Sequence, residues 1–135
     1  MHSLDPVPAV RRIETDRGDA CAFEVVGHVS AADVENLYGL LEGAYALHPQ
    51  IDLLIRMVDF EGIDWSEVSP ETRQTGREHA FAHVRRCAAV GDPDWTGEIG
   101  GWFSEPPPGE VRHFPADQEA EAWGWIGARE VPQRI

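Results

Sequence analysis

Two imidazoles one helical turn apart, His79 and His83, have the i, i+4 spacing that can chelate a metal ion. No third ligand falls nearby, and the glutamate of an H-E-x-x-H hydrolytic site is missing. The pair therefore reads as two solvated histidines flanking Phe81, with no metal. Ser66 stands between Asp64 and Glu67, where an added phosphate would meet like charge. Cys21 and Cys87 lie in apolar stretches without the basic neighbours that activate a thiolate. They read as small hydrophobes and not as nucleophiles, with a single disulfide between them as the lesser alternative. Gly97-Glu98-Ile99-Gly100-Gly101 lacks the preceding strand and following lysine of a phosphate loop. The expectation is no catalytic residue, no cofactor and no enzyme.

Binding chemistry is better represented. The stretch Thr72 to Arg86 gathers four arginines (Arg73, Arg77, Arg85, Arg86) against one acid, Glu78. It is the one locally positive helix expected, suited to an acidic partner or to the acidic face of a second copy. The plainer alternative is internal charge balance, with arginine stems lying over the core edge. Among the five tryptophans, Trp95, Trp102 and Trp123 fall at inward helical positions. Trp125 is off that face and Trp65 lies in a loop, which makes those two candidates for a pocket or an interface. Where strands are joined by crossovers, pockets form beyond the carboxyl ends of the strands. That edge is expected to carry Asp59 to Ser66, Gly91 to Trp95 and His28. The candidate binding residues are Trp65, Ser66, Asp92, Trp95, Arg73 and Arg77.

The elements that must position them follow from periodicity and punctuation. Val10 to Thr15 and Ala20 to Val29 read as a hairpin around Asp16-Arg17-Gly18-Asp19. Ser30 opens a helix with Asp33 at the capping-box position. Val34, Leu37, Tyr38, Leu41, Ala44 and Tyr45 form its inner face, and Pro49 stops it. Ile51 to Val58 is apolar enough for a strand covered on both sides, and a loop is expected from Asp59 to Val68. Ser69-Pro70-Glu71 starts a helix to about Arg85, and Cys87 to Val90 is a buried strand. Asp92-Pro93 begins a weak helix with Trp95, Ile99 and Trp102 inward. Val111 to Phe114 is the last strand, and Asp117 caps a final helix with Ala120, Trp123 and Ile126 inward, closed by Gly127. The class is α/β: a small mixed, largely parallel five-stranded sheet with an antiparallel N-terminal hairpin and about four helices. A chain of 135 residues is expected to be a single domain with its core at about 10–128.

Charge narrows the partners. With 24 acidic and 11 basic residues the net charge is −13, and every basic residue is an arginine. Nucleic-acid binding is excluded as a reading, because its affinity comes from basic groups displacing counterions. No apolar run approaches the ~20 residues of a spanning helix, so no membrane insertion is expected. The opening Met1-His2-Ser3-Leu4-Asp5-Pro6 is not a signal peptide, and the expected compartment is the cytoplasm.

Three segments carry a resemblance. Arg86-Cys87-Ala88-Ala89-Val90-Gly91-Asp92-Pro93-Asp94-Trp95 resembles an "R-x-A-x-V-G-D-x-x-W" stretch of the SpoIIAA-like family, within the STAS superfold related to CRAL-TRIO lipid-binding domains. Val111-Arg112-His113-Phe114 with Glu119-Ala120-Glu121-Ala122-Trp123 resembles that family's "evR-x-F" strand and "eA-x-A-W" helix. Val26-Gly27-His28-Val29-Ser30 with Asp33 resembles its early "G-x-(L/V)-(S/T)-x-x-D" turn. The resemblance spans about 20–127. It implies the STAS-like fold and a binding or regulatory role, since relatives include anti-sigma-factor antagonists switched by serine phosphorylation in an "I-D-S-S-G-L" context. Here that region reads Ile63-Asp64-Trp65-Ser66-Glu67-Val68, with Ser66 at the possible phosphorylated position, Trp65 for the first serine and Glu67 for the glycine. The leading expectation is a non-enzymatic module recognising a protein partner or forming a homodimer. The alternative is a carrier of a small apolar or lipid-like ligand at the strand carboxyl edge.

Overall fold

The computed structural model describes residues 9–91 and 110–131. The Asp16–Asp19 turn sends β1 (Val10–Ile13) back along β2 (Ala20–Val29) as an antiparallel pair. β1 ends two residues before the expected Thr15, because Thr15 pairs instead with Glu130 in an isolated antiparallel bridge. Ser30 and Asp33 close the expected capping box on α1 (Ala31–Leu47). Val34, Leu37, Tyr38, Leu41 and Tyr45 are its buried residues.

β3 (Ile51–Ile63) runs well past the expected end at Val58. The polar residues Asp59 and Glu61 imitate a loop, yet the strand continues because β2 continues beside it: His28 pairs with Gly62 and Val29 with Ile63 after a register shift. Gly27, Asp59 and Gly62 take positive φ values there (71°, 47° and 123°), letting both strands kink together.

A single 3-10 turn (Trp65–Glu67) leads to α2 (Pro70–His83), capped by Ser69. The helix does not reach Arg85. Val84 closes it through a backbone bond to the Ala80 carbonyl, already in extended conformation, and is the first residue of β4 (Val84–Val90). Helix passes into strand with no loop because Ile51 of β3 pairs with Val84. β5 (Glu110–Phe114) completes a sheet in the order β1-β2-β3-β4-β5, parallel from β2 onward.

After a 3-10 turn (Ala116–Gln118), α3 (Glu119–Ile126) ends on Gly127 in the left-handed region, as its sequence position requires. Two details of this helix differ from expectation. Gln118, not Asp117, takes the cap position, and Ala120 is exposed while Ala122, Trp123 and Ile126 are buried. The 3-10 turn shifts the helix start, so Ala120 falls on the solvent side while Trp123 and Ile126 keep their expected inward places.

α1 and α2 pack with Phe23, Val25, Leu53, Ile55, Cys87 and Ala89 on one face of the sheet. α3 packs with Ala22, Leu54, Ala88, Val90 and Phe114 on the other. Period-two alternation sends neighbours to opposite covered faces, so Ile51, Leu53, Leu54 and Ile55 are all buried. Three α-helices lie among the described residues, none long and apolar enough to cross a membrane. The helix expected from Asp92 to Trp102 lies outside them.

Candidate functional site

The overhang of β2 and β3 builds the carboxyl edge. β3 pairs with β4 only as far as Arg56 against Val90, but with β2 as far as Ile63. Asp64 N–H donates to the Val29 carbonyl (2.9 Å), and Glu67 N–H to the Asp64 carbonyl (3.0 Å), fixing the turn that holds Trp65 and Ser66. Ser66 is exposed. Ser69 accepts from Thr72 N–H at 3.1 Å, and its hydroxyl donates to Thr72 Oγ1 at 2.8 Å.

His28 Nε2 lies 2.9 Å from Asp64 Oδ1, with both side chains about half exposed. This pair ties the end of β2 to the start of the turn. The other ring nitrogen, Nδ1, faces Gly62, 4.0 Å from where a Cβ there would stand. His113 lies on β5, separated from β2 by β3 and β4. Neither histidine is hydrogen-bonded to Ser66 among the described residues.

The four arginines read as one positive helix are in fact dispersed. Only Arg73 and Arg77 stand on α2, half-buried, where they line an open groove of about 450 Å³ with Pro70, Gln74 and Glu78. Arg85 and Arg86 belong to β4. Arg85 grips Asp52 with two bonds, Nε to Oδ1 at 3.1 Å and Nη2 to Oδ2 at 2.6 Å. Arg17 adds a third at 3.1 Å and also donates to Asp19 and to the carbonyls of Ile126 and Gly127. Asp52, buried at 1% exposure, thus joins β3, β4, the hairpin turn and the end of α3. Arg86 donates to the Trp125 carbonyl (2.8 Å), and Arg86 and Arg112 lie over the half-buried Trp125 ring at 5.5 and 5.2 Å. Asp92 and Trp95 lie outside the described residues, as does Trp102.

The histidines of α2 have separate partners: His79 bonds Glu42 of α1, whereas His83 bonds the Pro49 carbonyl (2.8 Å) and stacks on Tyr45 at 4.7 Å. No metal-holding group of histidine, cysteine or carboxylate occurs among the described residues. Both cysteines are buried and free. Burial pushes the Cys87 thiol up to about 12 and raises Cys21 as well. Iodoacetamide at mildly alkaline pH is therefore expected to leave Cys87 of the native protein unmodified and to label it after denaturation; rapid native labelling, read by mass, would contradict this.

Two charged residues inside the apolar strand, Asp52 and Arg56, carry more structure than sequence reasoning assigned them. Their signal was available: they are the only charges between Ile51 and Val58. Arg56 Nε donates to Glu24 (3.0 Å) and its Nη1 to Glu119 (2.7 Å) and Glu130 (3.2 Å). Trp123 Nε1 donates to the same Glu119 oxygen at 3.0 Å. Arg56, Glu24 and Glu130 line a cavity of about 320 Å³ with Arg11, Arg12 and Glu14, a charged lining unsuited to an apolar ligand.

Burial pushes Glu24 upward, but the Arg11 hydrogen bond and the charges of Arg56 and Arg11 outweigh it and hold the carboxyl below its ordinary 4.5. The Arg17 hydrogen bond likewise holds Asp19 below 3.8. Groups with depressed folded values stabilise above the unfolded value and lose that contribution as pH falls through the folded one. Urea midpoints are expected to hold from neutrality to about pH 5 and to fall from there downward. A midpoint that rises on acidification through that window would contradict these pairings.

With this geometry in place, three comparisons bear on the fold. The SpoIIAA-like family model matches residues 20–127. The crystal structure of an uncharacterized protein from the DUF3478 family with a SpoIIAA-like fold, from Shewanella loihica PV-4, superposes with a TM-score of 0.65 at 22% identity. That match covers 93% of this chain and 99% of the other. No curated protein matches.

Proposed function

The chain belongs to the SpoIIAA-like family, and from that premise we propose that it is a non-enzymatic binding module that recognises a protein partner or a second copy of itself. Its contact face is the carboxyl-edge turn with Trp65 and Ser66, continued by α2 with Arg73 and Arg77. The observation that carries this reading is the overhang of β3 beyond β4, which presents that turn outward, with Ser66, Glu67, Ser69 and Pro70 all exposed. A catalytic reading lacks a comparable support: Ser66 has no hydrogen-bonded base among the described residues, and the buried cysteine thiols are held protonated. Such a module acts by presenting a surface, and this one offers a rigid turn between a helix cap and a paired strand.

Size-exclusion chromatography with light scattering, at low and high salt, tests the self-recognition version. A mass near twice 15.0 kDa is expected. A monomer under both conditions would remove self-recognition and leave a foreign partner as the remaining version.

A further inference from the structure

The outer face of α1 is unlike the rest of this acidic chain. Ala32, Asn36, Gly39, Leu40, Gly43 and Leu47 are all exposed and none is charged. Leu47, at 78%, is the most exposed of the large hydrophobic residues among those described, and Leu40 is 37% exposed. Of the three acids of α1, Asp33 serves the cap and Glu42 bonds His79, while Glu35 is exposed one turn before Gly39, at the border of the face.

The glycines sharpen the point. A Cβ at Gly39 or Gly43 would meet nothing within 4 Å, and neither glycine has a positive φ. A mid-helix glycine disfavours the helix relative to alanine, and nothing in the described fold requires it at either place. Gly76 is the contrast, since its absent Cβ makes room for the Tyr38 ring, 2.6 Å from where that atom would stand. The space over Gly39 and Gly43 admits something from outside.

Resting on the self-recognition reading above, we propose that this face of α1 is the contact with a second copy of the chain, two α1 helices crossing antiparallel about a two-fold axis at Gly39 and Leu40. The spacing itself selects a second copy. An antiparallel crossing centred there sets Leu40 against Gly39, Asn36 against Gly43 and Leu47 against Ala32, each larger side chain over a smaller one. A two-fold contact requires this self-complementarity, with each residue meeting its partner twice. Charge points the same way. Two copies at −13 each repel wherever their acidic surfaces meet, and the paired positions of this crossing set no carboxylate against another.

At 17 residues α1 is about 25 Å long, and alone covers less than the roughly 800 Å² per partner of a standard interface. The shoulder of α2 extends it. Gly39 also lines an open groove of about 460 Å³ between the helices with Glu42, Glu71, Thr75, Gly76 and His79, a charged margin beside the uncharged face.

Sedimentation equilibrium of the full chain, with Gly39→Arg and Ala120→Arg variants, tests the proposal. Arginine is a better helix former than glycine, so Gly39→Arg is expected to keep its circular dichroism and melting midpoint as a monomer. It places a charge and its symmetry mate in the contact, weakening self-association by about a hundredfold. Ala120→Arg adds the same charge on exposed α3 and is expected to remain dimeric. A dimeric wild type with a dimeric Gly39→Arg would overturn the α1 contact while leaving self-recognition intact. Loss of the dimer in both variants would show a general charge effect and overturn it too. A wild type monomeric at every concentration would overturn both the α1 contact and self-recognition, leaving the face to a foreign helix or to this chain's own residues 1–8.

Discussion

Replacing Asp52 by alanine is expected to cost about 3 kcal/mol of unfolding free energy, a large fraction of what a domain of this size possesses. The carboxylate is almost fully buried and receives three arginine bonds, two from Arg85 and one from Arg17. Removing it strands two guanidinium groups, with Asp19 on Arg17 the one acid still bonded to them among the described residues. Both arginines keep some water, with side chains 29% and 50% exposed, which holds the effect at the low end for breaking a buried pair. Urea denaturation reads it directly. Arg85→Ala is expected to cost less, because Arg17 remains to neutralise Asp52. Equal stability of Asp52→Ala and the parent would show that the junction contributes nothing.

Gly91→Ala carries the second large effect, about 3 kcal/mol or more. Gly91 has φ at 148°, a region that residues with a Cβ avoid, and an added Cβ would stand 2.9 Å from the Met57 carbonyl oxygen. The obstacle is backbone in the middle of β3, so neither side can give way cheaply. Its N–H also donates to the Phe114 carbonyl at 2.9 Å, a bond that any displacement would lengthen. Gly124→Ala is the matched control: Gly124 lies inside α3, a Cβ there meets nothing within 4 Å, and about 1 kcal/mol of stabilisation is expected. If both substitutions moved the melting midpoint alike, the close approach at Gly91 would be refuted.

Local signals in the sequence located most elements. The Ser30 capping box, the Ser69-Pro70 start and the Gly127 stop are short-range chemistry, and all three stand where the residues put them. The mixed sheet followed from helices alternating with apolar strands. Pairing between distant segments was not legible. β3 extends to Ile63 through its neighbour β2, although Asp59 and Glu61 look like loop residues on their own. Arg85 falls in β4, not α2, because Val84 before it pairs with Ile51, 33 residues away, and there its side chain meets Asp52.

The candidate site suffered from the same cause. A run of four arginines looked like one face, and strand pairing divided it into two helical residues, a buried junction and a clamp on Trp125. The uncharged face of α1, by contrast, was visible in the sequence as Gly39-Leu40 and Gly43.

The proposed contact surface is the helical layer, α1 and α2 with the turn before α2. Amide chemical shifts followed by NMR as the protein is concentrated would test it most directly. Shifts are expected for Ala32 to Leu47 and for the first half of α2, with α3 and β5 unmoved. Changes centred on α3 or β5 would contradict that surface, and none at all as concentration rises would contradict self-recognition.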